Sequence, residues 1–230
     1  MDTVQLLTRF GLTRQEANLY ILLCRRGDLT GYEAAKLTGI SRSGTYTALA
    51  GLVEKGAAYL REEAASHYTP VPVEEFSENY LHNLEKTREQ LIAQMPRQAA
   101  VEDGYLTIRG SRHILDRMRS MIRAAQKRLY LSASPGVLEE LSPALQEAVD
   151  AGRKVTLITS PEFSIEGAYL YSAPIPDGQV RLIVDSSRVL AGDARDEASS
   201  CVYSCQKNLV ELIKESLSNE IRLIQKDGLA

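Results

Sequence analysis

No apolar run in these 230 residues approaches the roughly 20 that a membrane-spanning helix needs, so no bilayer crossing is expected. The start, Met-Asp-Thr-Val-Gln, lacks a basic stretch followed by an apolar one. No secretory signal is therefore expected, and a cytoplasmic protein is. Cysteine is scarce: Cys24, Cys201 and Cys205 are an odd set, which argues against a disulfide framework. Cys24 lies on an apolar helical stripe and is expected in a core. Cys201 and Cys205, four apart, are expected as two buried thiols, with a redox pair as the alternative. No further ligand of metal-site type lies near them, so neither a metal nor a cofactor is expected. A basic excess is also missing. Net charge is −3 overall, and residues 1–70 hold eight basic and seven acidic side chains. A module this close to neutral cannot hold nucleic acid by bulk charge alone. Hydrophobic residues at 44% and charged residues at 25% are ordinary for a globular chain, which is long enough for one or two cores.

What is present begins at Gly11. Thr13-Arg14-Gln15-Glu16 has capping-box spacing, a hydroxyl followed three residues later by a carboxylate. An apolar stripe follows through Ala17, Tyr20, Ile21 and Cys24, and Gly27 ends the helix. Thr30-Gly31-Tyr32-Glu33 is a second capping box, opening a short helix with Ala34, Ala35 and Leu37 expected inward and Gly39 as the stop. Ser41 caps a third helix carrying Tyr46, Leu49, Leu52 and Val53 as far as Gly56. Two short helices joined by a Gly-containing turn form a helix-turn-helix. Strands over 57–60 and 66–71, around a polar Arg61-Glu62-Glu63 tip, complete a winged helix-turn-helix over residues 1–72, an α+β unit.

Pro70 and Pro72 then break the chain. Over 73–96, Phe76, Tyr80, Leu84, Thr87, Leu91 and Met95 recur at steps of four and three, the spacing of a coiled-coil seam. Two readings of this helical linker stand together: a helix packed on its own domain, or a dimerisation helix that pairs two modules into a homodimer. Pro96 ends it, and Arg97 to Asp103 reads as a linker. Residues 104–230 alternate strands and helices, which implies an α/β domain with a parallel or mixed sheet. Expected strands are 105–108, 128–132, 154–159, 180–184, 188–191 and 201–203. Ser111 is expected to cap the first helix, 161–178 to be a loop, and 207–224 to be a long amphipathic helix.

The segment Phe10-Gly-Leu-Thr-Arg-Gln-Glu-Ala-Asn-Leu-Tyr20 resembles the opening of the TrmB-type transcriptional regulators, with the pattern G-L-(T/S)-x-x-E-A-x-x-Y. Leu37-Thr-Gly-Ile-Ser-Arg-Ser-Gly-Thr-Tyr46 is similar to their helix-turn-helix, and Leu49, Leu52 and Gly56 continue the match. A short coiled-coil spacer follows in that family, and residues 104–230 resemble its phospholipase-D-like sensor domain. The resemblance implies a dimeric repressor or activator of transcription that binds double-stranded DNA and answers to a small-molecule effector, often a sugar in archaeal members. The chain departs from a regular helix at Gly44 and Gly51, each costing up to about 1 kcal/mol relative to alanine.

On this reading the DNA-binding candidates are Ser41, Arg42, Ser43, Thr45 and Tyr46 at the start of the recognition helix, the end that meets base edges, and Arg61 on the wing. Arg42 suits guanine O6 and N7; the hydroxyls of Ser41, Ser43 and Thr45 suit phosphates; Tyr46 is split between phosphate and core. His67 is expected to be solvated. An enzyme is the rival. Phospholipase-D-type phosphodiesterases use His-x-Lys, but His67, His82 and His113 all lack a lysine two residues on. The hairpin from Arg181 to Asp193, where the motif would fall, has no histidine; its carboxylates Asp185 and Asp193 do not replace one, and no catalytic residue is expected. Ser132, Ser134, Thr159 and Ser160, at strand ends, are the candidate contacts for an effector, or plain turn and cap residues. A third reading, a winged-helix scaffold that binds protein, draws on the near-neutral charge of residues 1–70.

Overall fold

The computed structural model describes residues 2–62, 65–96 and 104–227. Glu63 of the expected wing tip and the expected linker 97–103 lie outside them. The chain divides into two compact units, Met1–Arg97 and Gln98–Ala230.

The first unit opens with a helix the sequence reading did not foresee, α1 (Thr3–Arg9), followed by α2 (Arg14–Arg26), β1 (Leu29–Thr30), α3 (Gly31–Thr38), α4 (Arg42–Glu54), β2 (Ala58–Glu62), β3 (Ser66–Pro70) and α5 (Val73–Gln94). Both capping boxes form. The Thr13 amide donates to Glu16 at 2.6 Å and the Glu16 amide to the Thr13 hydroxyl at 3.2 Å. Thr30 and Glu33 repeat the exchange at 2.8 and 3.3 Å. The wing gains a third strand, since β1 pairs with β3, in the order β1-β3-β2. Leu19, Tyr20, Leu23, Leu49, Leu52 and Phe76 fill the core. Two inward expectations fail. Leu37 is 50% exposed, and Cys24, three positions before Gly27, is also exposed. On so short a helix the alanines alone reach the core.

The two halves of the helix α5 differ in how their apolar side chains are placed. Phe76 and Tyr80 pack back onto the winged helix, with ring centroids 5.5 Å apart for Phe10–Tyr80 and 5.9 Å for Tyr20–Phe76. Beyond Tyr80 the apolar side chains Leu81, Leu84, Leu91, Ile92 and Met95 are all exposed.

The second unit comprises β4 (Tyr105–Arg109), α6 (Ser111–Arg123), β5 (Arg128–Ala133), α7 (Pro135–Asp150), β6 (Lys154–Thr159), β7 (Tyr169–Ser172), β8 (Gln179–Val184), β9 (Arg188–Asp193), β10 (Ser200–Ser204) and α8 (Lys207–Asp227). The strands form one mixed sheet, β4-β10-β9-β8-β5-β6-β7, parallel across β5, β6 and β7 and antiparallel elsewhere. The expected loop 161–178 thus holds an edge strand. The helices α6 and α7 cover one face through Ile114, Met118, Leu138 and Leu145; α8 covers the other through Val210 and Leu217. Ser111 does not cap α6: the N-cap is Gly110, and no side chain bonds to the first turn. Cys201 is buried as expected, whereas Cys205 is exposed.

The β8–β9 turn depends on Asp185. Asp185 and Ser186 both have φ of 51°, a left-handed conformation that non-glycine residues adopt at a cost. The Asp185 carboxylate accepts the amides of Gln126, Lys127 and Arg128 at 2.8, 2.9 and 3.0 Å, fastening the entry of the central strand β5. Burial pushes this carboxyl up, but the three amides and Arg188 outweigh it and hold it below the ordinary 3.8. A depressed folded value adds stability that is present above the unfolded value and lost as pH falls through the folded one. Asp185→Asn is expected to cost about 1–3 kcal/mol near neutral pH. Its urea-unfolding free energy should then fall less steeply than that of the wild type below about pH 4. Parallel pH profiles for the two proteins would contradict this role.

Candidate nucleic-acid interface

Five contacts fix how α4 sits. The Glu16 carboxylate caps α2 and accepts the Lys55 ammonium at 2.6 Å, just past the end of α4. Lys55 also donates to the Gly11 carbonyl at 3.0 Å. A Cβ on Gly51 would collide with the Glu16 carboxylate, so glycine is needed where α4 crosses α2. At the other end Tyr46 lies flat on Gly31, where a Cβ would run into its ring. Gly44 is likewise closely packed, its Cβ position 3.2 Å from the Gln15 amide nitrogen. Burial alone would raise the Glu16 carboxyl, yet Lys55 and Thr13 bring it below its ordinary value.

The buried side of α4 is Thr45, Ala48, Leu49 and Leu52, spaced i, i+3, i+4, i+7. This overturns Thr45 as a phosphate contact: it is 0% exposed, and its hydroxyl has no partner among the described residues. The spacing was visible in the sequence; the hydroxyl drew attention away from it. The open side carries Ser43, Thr47 and Ala50, flanked by Arg42 and Tyr46. Thr47 and Ala50 went unnamed, although both fall one and two turns beyond Ser43. Ser41 is the N-cap, its hydroxyl accepting the Gly44 amide at 3.2 Å. The Arg42 guanidinium rests over the Tyr32 ring of α3, 4.9 Å from its centroid, which holds it at the open end of the helix. Tyr46 is 45% exposed, wall on one side and surface on the other.

Arg61 is not at a loop tip. It sits inside β2 opposite His67 and donates to Asp28 at 2.6 Å. Asp28 also accepts Thr69 at 3.0 Å and lies 3.0 Å from His67, so His67 belongs to a cluster that ties β1 to the wing. The pairing of β2 runs two residues beyond the strand read from sequence, into the expected tip, since Arg61 faces His67 and Glu62 faces Ser66.

The four effector candidates do not converge. Ser132 is buried on the α8 face, accepting Arg181 at 2.9 Å, and Arg181 is bonded in turn to Glu220 at 3.1 Å. Thr159, by strand alternation with Val155 and Leu157, faces the α6–α7 side; it is buried and its hydroxyl has no partner. Ser134 is the N-cap of α7, and Ser160 is half-buried after β6.

Residues 6–74 match the family model described as sugar-specific transcriptional regulator TrmB, and residues 105–219 match the EBD N-terminal subdomain of the same regulators. The chain belongs to the TrmB family. Among curated relatives of this TrmB-family protein, the uncharacterized protein YrhO of Bacillus subtilis is 26% identical over 97% of this chain and 86% of its own length. The HTH-type sugar sensing transcriptional regulator TrmBL1 of Pyrococcus furiosus is 27% identical over 71% of this chain, which spans about half (48%) of that protein. Among solved structures, TrmBL2, an archaeal chromatin protein, aligns over 95% of this chain and 96% of its own, with 22% identity and a TM-score of 0.45. NucT from Helicobacter pylori covers 51% of this chain and 94% of its own, with 12% identity and a TM-score of 0.43. Likenesses this distant carry no argument about the site, and the arrangement of α4 rests on its own packing.

Thr45→Val should leave DNA affinity within about twofold and keep or raise stability by up to about 1 kcal/mol, because it removes a buried hydroxyl without a partner and keeps the shape. A loss of tenfold or more in DNA affinity, in a gel-shift titration with an unfolding control, would put Thr45 back among the contacts.

Proposed function

We propose that this chain is a sequence-specific, DNA-binding transcriptional regulator that acts as a homodimer. The observation that carries the proposal is the open side of α4, with Arg42 held over Tyr32 at the helix N-terminus and Ser43, Tyr46 and Thr47 beside it. A recognition helix enters the major groove with its N-terminal residues at the base edges. Arg42 is the base-reading residue, worth roughly 1–3 kcal/mol of discrimination at a guanine. Ser43, Tyr46 and Thr47 fix register on phosphates. Arg61 serves the wing's own architecture first, through Asp28.

Two modules are needed because one is nearly neutral, and avidity compensates for few contacts. The uncovered half of α5 supplies the joint: Leu81, Leu84 and Leu91 line one groove on the helix, which a second copy would fill. Residues 1–72 thus read DNA, 73–96 pair the protomers, and 104–230 sense an effector whose binding shifts the spacing of the two heads. Catalysis is not part of this function. Phosphodiesterase chemistry needs an imidazole nucleophile, and the β8–β9 hairpin has none. The relatives named as regulators support the same reading. Among the described residues no helix is long and apolar enough to cross a membrane.

Genome-wide capture of bound DNA, with the wild type and Arg42→Ala, tests the proposal. A compact two-fold site is expected, lost with Arg42→Ala and steeply weakened by salt. A single half-site would contradict the dimer. No enriched site, with weak binding insensitive to Arg42, would overturn the DNA reading in favour of a protein-binding winged helix.

A further inference from the structure

A cavity of about 620 Å³ opens on the second unit between α6 and α7, at the carboxyl end of β5. That is the end of an open α/β sheet where ligands collect, and the size suits a small metabolite. Its wall includes the first turns of both helices, through Arg112 and Gly136, and the strand-end residues Asp177, Gly178 and Arg195. None of the four hydroxyl residues singled out in the sequence lines it.

Its donors are not in use. Neither helix has a side-chain cap. The amides of Arg112, His113 and Gly136 have no acceptor among the described residues. Just outside the lining, the Ser134 hydroxyl at the N-cap of α7 is 5% exposed and has no hydrogen-bond partner among the described residues. Arg112 makes no ion pair among the described residues, whereas the neighbouring Arg119 is paired with Asp116 at 2.7 Å and Glu140 at 3.4 Å. Arg195 is held by Asp193 at 2.6 Å, a carboxyl that the guanidinium and Ser199 keep at about 2. Of the acids in the wall, Asp116 and Glu140 share Arg119, and Asp177 is left as an acceptor without a hydrogen bond among the described residues.

Gly136 points the same way. It sits inside the first turn of α7 with an ordinary backbone, and a Cβ there would meet nothing within 4 Å. Alanine would make a better helix and would fit. Neither packing nor backbone conformation explains glycine here; a ligand that approaches the bare amide does.

We propose that this cavity binds a small hydroxylated phosphate monoester. The phosphate is taken by the Arg112 guanidinium and the free amides at the start of α6 and α7, and a hydroxyl donates to Asp177. This deepens the sensor reading of residues 104–230 by naming a site and a ligand class, and it is tested without DNA.

Calorimetric titration of the full chain with glycerol 3-phosphate should show saturable binding, with glycerol inert and inorganic phosphate weaker than the ester. Arg112→Ala, an exposed change, should weaken binding about tenfold or more. Gly136→Leu should abolish it by filling the cavity, with the thermal midpoint unchanged or raised. No saturable binding in the low-millimolar range, or equal affinity in wild type and both variants, would overturn the site. Inorganic phosphate binding as tightly as the ester would overturn the assignment of Asp177. If the ester binds but leaves operator affinity unchanged, the site stands and the sensor reading fails; if operator binding is sound and the ester does not bind, only this inference fails.

Discussion

The buried carboxylate of Glu16 is the contact on which the first unit depends. One side chain closes the capping box of α2, takes the ammonium of Lys55 past the end of α4, and occupies the space that Gly51 leaves open. A carboxylate this buried would be costly alone. With the Thr13 amide and Lys55 around it, the group stays ionised and becomes a strut between two helices. The angle at which α4 leaves the domain follows from it, and so does which side of α4 is open. Gly51 weakens its helix by about 1 kcal/mol relative to alanine. That cost is what admits the strut.

The second unit is governed by strand alternation. Hydroxyls on successive strands look like one site when read along the sequence, yet Ser132 and Thr159 end on opposite faces of the sheet. What converges instead is backbone: two helix starts without caps, at the end of the sheet where β5 delivers the chain into α7. A cavity built from amides, a glycine and an arginine from separate segments has no linear motif, so its lining cannot be read along the sequence.

How far each element was legible depends on whether its determinants are local. Capping boxes, glycine stops and the helical stripe are local, and α2, α3 and α4 were read with ends near those found. The edge strand β7 depends on pairing with β6, and β1 on pairing with β3, and both were missed. Thr45 shows a local signal overruled by residue type: its spacing with Ala48, Leu49 and Leu52 said core, and its hydroxyl said surface. The setting of Arg61 was illegible for the opposite reason, since its partner Asp28 is distant in sequence and only the sheet brings them together. The α5 stripe was read as open to two packings; Phe76 and Tyr80 settle onto their own domain, and the leucines after them do not.

The central claim is that the open side of α4, as oriented by Glu16, is the surface that meets DNA. The most direct measurement is amide and side-chain chemical-shift mapping on the full chain as the captured operator duplex is added. The account predicts the largest perturbations at Arg42, Ser43, Tyr46, Thr47 and Ala50, with the Thr45 side chain little changed. Perturbations that spare those five residues and cluster elsewhere would contradict it.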